Sequence, residues 1–307
     1  MEEARLILSE SELKKRVRYM VYTNGELLIR ALARYPALMA NMWLYSVSID
    51  GDEEQHRRVG PGTDLARIIT NLGKLRSDYQ GNILFWSTLR EQRSLLNCFN
   101  QFVELYEAGV VNHFLWHWAD TREPYKDFPA YVERYGRKLE EMMETYVAKA
   151  MHGAVLPIDH LNELVLYLVT GKERGHTACA AELARNYDVM GGEVYPCSDL
   201  PPSLAECIPE DDSDSIEPNL SRLVKYKDWL RCSECGVHPY CGGCCPVQAL
   251  CGSPERTLQI CQLMTLHVGI VQERIADILT GLPRNGISLQ EVYDQSAYIA
   301  RYTDVVP

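Results

Sequence analysis

The stretch CSECGVHPYCGGCC, residues 232–245, decides how this chain is read. It sets the spacing Cys232-x2-Cys235-x5-Cys241-x3-Cys245, with a further thiol at Cys244. A C-x2-C pair holds two thiolates on one tight loop, which suits a tetrahedral metal or an iron–sulfur cluster. Gly236, Gly242 and Gly243 let the backbone wrap close to a bulky group and turn N–H groups toward its sulfurs. Cys261 follows Cys245 after 15 residues. Cys179 and Cys197 stand upstream, with Gly192 four residues before the second of them in the intervening count. The chain has 11 cysteines in 307 residues, and 10 of them fall between Cys179 and Cys261; Cys98 is the exception. Core cysteines scatter, so this clustering points to a local cross-linking chemistry. The opening residues, MEEARLILSESELKKR, are charged throughout and show no export signal. A cytoplasmic location is therefore expected, where disulfides are disfavoured. Iron–sulfur ligation leads, and structural zinc and then disulfides or unligated thiols stay open behind it.

Composition narrows the partners. Lys plus Arg is 31 and Asp plus Glu is 42, a net charge of −11, without the basic face a general nucleic-acid binder needs. No apolar run approaches the roughly 18–20 residues needed to cross a bilayer, so no membrane partner is expected. Hydrophobic residues make up 46% of the chain, enough for a packed core in one or two domains.

The N-terminal part alternates strand and helix patterns. RVRYMVYTNG (16–25) is an apolar run closed by Asn24-Gly25, a strand and then a turn. Leu27, Ile29, Leu32 and Leu38 follow at helical spacing. MWLYSVSIDG (42–51), NILFWST (82–88) and VVNHFLWHW (110–118) read as further strands, with helices over 63–76 and 92–108 and a polar loop at DEEQHRRVGPG. Thr63 is the expected N-cap of the first of these helices. Such alternation predicts an α/β fold of parallel β/α units, an open sheet or part of a barrel, with functional residues just past the strand C-termini. Those points are Thr23-Asn24-Gly25, Ser48-Ile49-Asp50-Gly51, Ser87-Thr88 and His117-Trp118. Residues 127–170 read as helix with a solvated charged face, and 258–279 as an amphipathic helix opened by Cys261. Residues 201–219 combine four prolines with six acidic residues, an exposed linker.

The pattern Cys179-x12-Gly192-x4-Cys197…Cys232-x2-Cys235-x5-Cys241-x3-Cys245…Cys261 resembles the SPASM domain of radical S-adenosylmethionine enzymes. The resemblance implies two auxiliary [4Fe–4S] clusters. Cys232, Cys235, Cys241 and Cys261 would hold the outer one, and Cys179, Cys197 and Cys245 three irons of the inner one. Cys207 is the candidate for the inner cluster's remaining ligand, and Cys244 and Cys251 are expected to be spectators. Upstream, Tyr22-Thr23-Asn24-Gly25 and Ser46-Val47-Ser48-Ile49-Asp50-Gly51, then His56, Arg58 and Gly60-Pro61-Gly62-Thr63, are similar to the third and fourth strand ends of that family's barrel. By that resemblance Thr23 and Ser48 would touch S-adenosylmethionine; otherwise they are hydroxyls satisfying turns. It also implies a domain order. Residues 1–125 would be a partial barrel from its third strand onward, and 126–175 a helical connection. Residues 176–262 would be the cluster domain, with the acidic linker inside it, and 263–307 C-terminal helices.

The family's defining C-x3-C-x2-C loop is absent from these residues, as is the G-G-E-P turn. S-adenosylmethionine would thus act only in a complete barrel, and the first two β/α units would lie outside this chain, as in a fragment or a shortened homologue. The family reading is the C-terminal portion of a peptide- or protein-modifying maturase, served by a reductant protein such as a flavodoxin or ferredoxin. The other readings are a shortened iron–sulfur accessory protein for electron transfer, and a zinc-binding structural adaptor. Asp199 is a candidate proton acceptor, because sulfatase-maturing relatives carry an Asp directly after the second SPASM cysteine. That position is Ser198 here, and the alternative role for Asp199 is a turn before Pro201-Pro202. Trp116, His117 and Trp118 either line a substrate cavity or belong to the core.

Overall fold

The computed structural model describes residues 19–57, 62–183, 188–190, 193–197, 199–201, 223–297 and 299. Arg58, Gly60, Pro61, Gly192, Ser198, Cys207 and positions 202–219 of the acidic stretch lie outside the described residues. Two compact units divide the chain, Met1–His117 and Trp118–Pro307.

The first unit alternates strand and helix as the apolar pattern requires. Its elements begin with β1 (Tyr19–Thr23), α1 (Leu28–Arg34), α2 (Pro36–Ala40) and β2 (Met42–Ser48). They continue with α3 (Glu53–Arg57), α4 (Leu65–Asp78), β3 (Asn82–Leu89), α5 (Leu95–Glu107) and β4 (His113–Trp118). The sheet has the order β1-β2-β3-β4, and β1–β2 and β2–β3 are parallel. Thr23 pairs with Val47 and Ser48 with Trp86, so the C-terminal ends of adjacent strands share one edge. Leu44, Tyr45 and Val47 are all fully buried, the signature of a strand covered on both faces. Phe85, Phe102 and Phe114 form an aromatic knot under the sheet, with Phe102 stacked on Phe114 at 4.9 Å between ring centroids. At the turn after β1, Gly25 adopts φ +77°, and a side chain there would press into Ile68 of α4.

Two local expectations are corrected. The N-cap of α4 is Asp64, not Thr63: its carboxylate accepts the Arg67 N–H at 3.0 Å, while its own N–H is held by Glu26. The polar run after β2 is not all loop, because Asp52 accepts the Gln55 N–H at 2.9 Å and starts the short helix α3.

In the second unit, α6 (Phe128–Met151) and α7 (Asp159–Thr170) replace the single expected helical stretch. The break at 152–158 follows from Gly153 at φ +85° and from Pro157, which supplies no N–H. The hairpin β5 (Asp188–Met190) and β6 (Glu193–Tyr195) precedes a run of short helices: α8 (Tyr226–Trp229), α9 (His238–Cys241) and α10 (Pro246–Cys251). The long α11 (Pro254–Arg284) packs along α6, where the Tyr135 hydroxyl bonds His267 Nδ1 at 3.1 Å, and α12 (Leu289–Val292) closes the unit. Cys261 does not open α11 but lies well inside it, since Ser253 caps the helix by accepting the Arg256 N–H. Among the described residues no helix is long and apolar enough to cross a membrane.

Candidate functional site

The cysteine-rich turn is built from one-turn elements, with Cys232, Cys241 and Cys244 buried and Cys235 and Cys245 half-buried. A single 3-10 turn spans Cys232–Glu234, closed by the Cys235 N–H on the Cys232 carbonyl at 3.1 Å. Helix α9 then carries Cys241 and ends at Gly242, φ +68°. Any Cβ on Gly242 would collide with the backbone carbonyl of His176, so only glycine lets the two segments meet. Cys244 also sits in the left-handed region, at φ +65°, and Cys245 stands at the N-cap position of α10.

A buried arginine fixes this turn from behind. Arg174 donates from its backbone to the Pro239 carbonyl at 2.9 Å and from Nε to the Tyr240 carbonyl at 2.7 Å. Its Nη2 meets Glu163 of α7 at 2.6 Å, and its guanidinium lies over the Tyr240 ring. The Tyr240 hydroxyl in turn donates to the His160 carbonyl at 3.1 Å. Pro239 and Tyr240 lie within the cysteine spacing, but Arg174, Glu163 and His160 lie outside it, so the motif does not reveal the brace.

The thiols that the sequence groups as one set lie together. Burial pushes the Cys232 thiol up to about 11, with Cys241 and Cys235 adding to the effect. Burial likewise pushes Cys261 up to about 12, reinforced by Cys241, Cys232 and Cys235. Cys261, on α11, is thus near enough to those three thiols to feel their charge. The Cys241 thiol is raised by burial but opposed by the N–H groups of Gly243 and Cys244, the latter 3.2 Å from Sγ. Cys197 packs with Val247, Leu250 and Cys251 against Leu200 and Leu223, which places it beside α10. Cys179 is half-buried next to a segment tied by Glu182, which accepts the Thr177 N–H at 2.7 Å and also its hydroxyl. Asp199 is exposed on the turn after Cys197. Cys98 is buried in the first unit, its thiol pushed up to about 12 by burial, with Gln55 donating to Sγ at 3.2 Å.

The donor set separates the groups it could hold. None of the ten described cysteines is joined in a disulfide. Among the described residues, no three His, Cys, Asp or Glu side chains converge on a single-ion site. An all-thiol donor set fits a thiolate-held iron–sulfur group. N–H donors aimed at sulfur fit it as well. So does the Tyr226 hydroxyl, which is buried without a hydrogen-bond partner beside Cys244, Cys245 and Cys241.

At the strand ends, Thr23 Oγ1 accepts the Gly25 N–H at 3.1 Å, which leaves its own hydrogen to donate; Ser48 is exposed. The next residues form a polar ledge. Asp50 pairs with Arg93 at 2.7 Å and accepts the Thr88 N–H at 2.8 Å. His56 Nδ1 accepts the Asp50 N–H at 3.2 Å, so its proton sits on Nε2, and burial lowers its pKa. His117 bonds Thr88 Oγ1 at 2.8 Å and is held down to about 4 by burial, then by Arg90 and Arg93, so it is neutral at pH 7. Trp116 and Trp118 are both core residues rather than cavity lining. Sequence reading passed over Gln55, Arg93 and Arg174, because nothing local marks a long-range contact, and Tyr226, because nothing local marks its burial.

No protein-family model matches the chain, and neither does any curated protein. Solved structures do. The chain is similar to a polyhistidine-tagged form of anSMEcpe with bound AdoMet, at a TM-score of 0.68 and 16% identity, over 95% of this chain and 80% of that one. Native anSMEcpe with bound AdoMet and Cp18Cys peptide gives 0.66 and 16%, over 91% and 81%. The form with bound AdoMet and Kp18Cys peptide gives 0.63 and 15%, over 90% and 82%. At such identity the likeness shows the fold alone, an α/β architecture with a parallel sheet followed by a cysteine-rich region.

Proposed function

We propose that this chain is the C-terminal portion of a radical S-adenosylmethionine enzyme that modifies a peptide or protein, and that it holds two auxiliary [4Fe–4S] clusters. Cys232, Cys235, Cys241 and Cys261 are assigned to the outer cluster, and Cys179, Cys197 and Cys245 to the inner one. The observation that supports the reading is that Cys261, on α11, lies near enough to Cys232, Cys235 and Cys241 for their charges to bear on its thiol. The fold shared with AdoMet-bound structures supports it, and their bound peptides support a peptide substrate.

When bound, such clusters supply one-electron transfer or direct substrate contact, and S-adenosylmethionine supplies the radical chemistry of a complete barrel. The chain's own residues bind, orient and exclude water. Thr23 and Ser48 offer hydroxyls at neighbouring strand ends, which suits them to hold S-adenosylmethionine. Cys232 and Cys241 are buried, so water is kept from their sulfurs. Asp199, exposed on its turn, is the candidate proton acceptor. Electrons would come from a flavodoxin- or ferredoxin-type protein, in a cytoplasmic setting.

Purification without oxygen, with iron, acid-labile sulfide and zinc assays, tests the assignment. A brown protein rich in iron and sulfide is expected; stoichiometric zinc with no sulfide overturns it. A second reading is an accessory iron–sulfur protein without radical chemistry. An in-frame C-x3-C-x2-C encoded just upstream decides for the maturase, and its lack for the accessory protein. The 307 residues by themselves are expected to form no 5′-deoxyadenosine from S-adenosylmethionine.

A further inference from the structure

Tyr226 opens α8 with only 2% of its surface exposed. Its hydroxyl is buried and has no hydrogen-bond partner. Native proteins rarely leave such a group unpaired, because desolvating a hydroxyl without replacing its water contacts is unfavourable. Its ionisable neighbours are Cys244, Cys245, Glu182 and Cys241. Glu182 is already engaged, accepting from the Thr177 backbone at 2.7 Å and from its hydroxyl, with Lys227 Nζ at 3.8 Å. The sulfurs are what remains.

The placement of α8 makes the same point. Lys227, one residue along, lies so close over Gly243 that any Cβ there would run into its stem. Helix α8 is therefore seated directly on the 242–245 turn. That turn already aims two backbone donors, the N–H groups of Gly243 and Cys244, at Cys241 Sγ. Tyr226 brings a further buried donor from a different element, near the sulfurs of Cys244, Cys245 and Cys241.

We propose that the Tyr226 hydroxyl donates a hydrogen bond to a sulfur of the cluster anchored at Cys245, and so raises that cluster's reduction potential. The inference rests on the cluster assignment made above. Reduction adds negative charge that is shared by the sulfurs, and a donor in place stabilises that state over the oxidised one. Tyr226 is a positioning and tuning residue here, not a catalytic one.

The experiment uses the 307-residue chain reconstituted anaerobically with iron and sulfide. Metal and sulfide content is measured first, then midpoint potentials by electron paramagnetic resonance in a mediated titration. Tyr226→Phe is expected to load like the parent chain and to move one midpoint to a more negative value. Replacing Tyr226 with a difluorotyrosine, a stronger donor of nearly the same shape, is expected to move the same midpoint the opposite way. A purely structural tyrosine would not give shifts of opposite sign. Equal midpoints in loaded Tyr226→Phe, or shifts of one sign in both proteins, overturn the inference and leave the clusters standing. If Tyr226→Phe fails to load, the difluorotyrosine protein decides alone: a positive shift supports the hydrogen bond and no shift refutes it. A parent chain that takes up no iron or sulfide overturns the cluster assignment itself.

Discussion

Gly242 and Cys244 share a left-handed backbone but differ in what surrounds them. At Gly242 the obstacle is a carbonyl on another segment, which cannot swing aside. Gly242→Ala is therefore expected to cost at least about 2 kcal/mol and to lower iron uptake, read by a thermal melt and an iron assay. Cys244 carries a conformational strain of about 1 kcal/mol that glycine would relieve, against the loss of a small buried side chain. Cys244→Gly is expected to stay within about 1 kcal/mol of the parent and to keep its iron. Cys232→Ala and Cys261→Ala are expected to lose about half the iron and to destabilise the second unit; equal iron loading in both and in Cys244→Gly would refute the ligand assignment. The cysteine spacing picks out Cys232, Cys235, Cys241 and Cys261 as one set, and in the fold the charges of the other three bear on the Cys261 thiol. The brace and the buried Tyr226 hydroxyl were not legible, because Arg174 bonds a carbonyl far along the chain and Tyr226 owes its burial to tertiary packing.

At the scale of elements, strands were easier to read than helix ends. Parallel strands buried on both faces are apolar runs closed by turns; three of the expected strands contain an observed one, and the third observed strand, Asn82–Leu89, runs one residue past its expected end. Helix boundaries turn on one hydrogen bond each. Thr63 and Asp64 are both capping residue types, and only the Arg67 N–H chooses between them. The 152–158 break was hidden because charged residues at helical spacing run on up to it. The segment after α7 has its own energetic signature. Arg174 is nearly fully buried and joins Glu163 to the turn bearing Cys241. Arg174→Gln removes the charge and strands the Tyr240 carbonyl, and is expected to cost about 3 kcal/mol by urea denaturation. Arg174→Lys should restore little of this, because an ammonium cannot serve Glu163 and the Tyr240 carbonyl in one fork.

For the molecule as a whole, the pH response has a buried source. His267 lies between α11 and α6 against Tyr135, Trp118 and His160, and burial holds its pKa down to about 3. It is neutral in the fold but titrates near its ordinary 6.5 once unfolded. Its contribution is therefore complete above pH 6.5 and declines as the pH falls toward 3, where the unfolded chain binds a proton that the folded one refuses. Between those limits the group should give a slope near 1.4 kcal/mol per pH unit, missing in His267→Gln when both are unfolded in urea across that range.

The ledge after β2 has a consequence for association rates. Asp50, Asp52 and Gln55 are anchored to Arg93, Asn97 and the Ser94 backbone before any ligand arrives. A molecule settling at that rim thus meets a surface already frozen in shape. It forfeits little entropy on arrival, and the amides of residues 52 and 55 should exchange with deuterium as slowly before docking as after it.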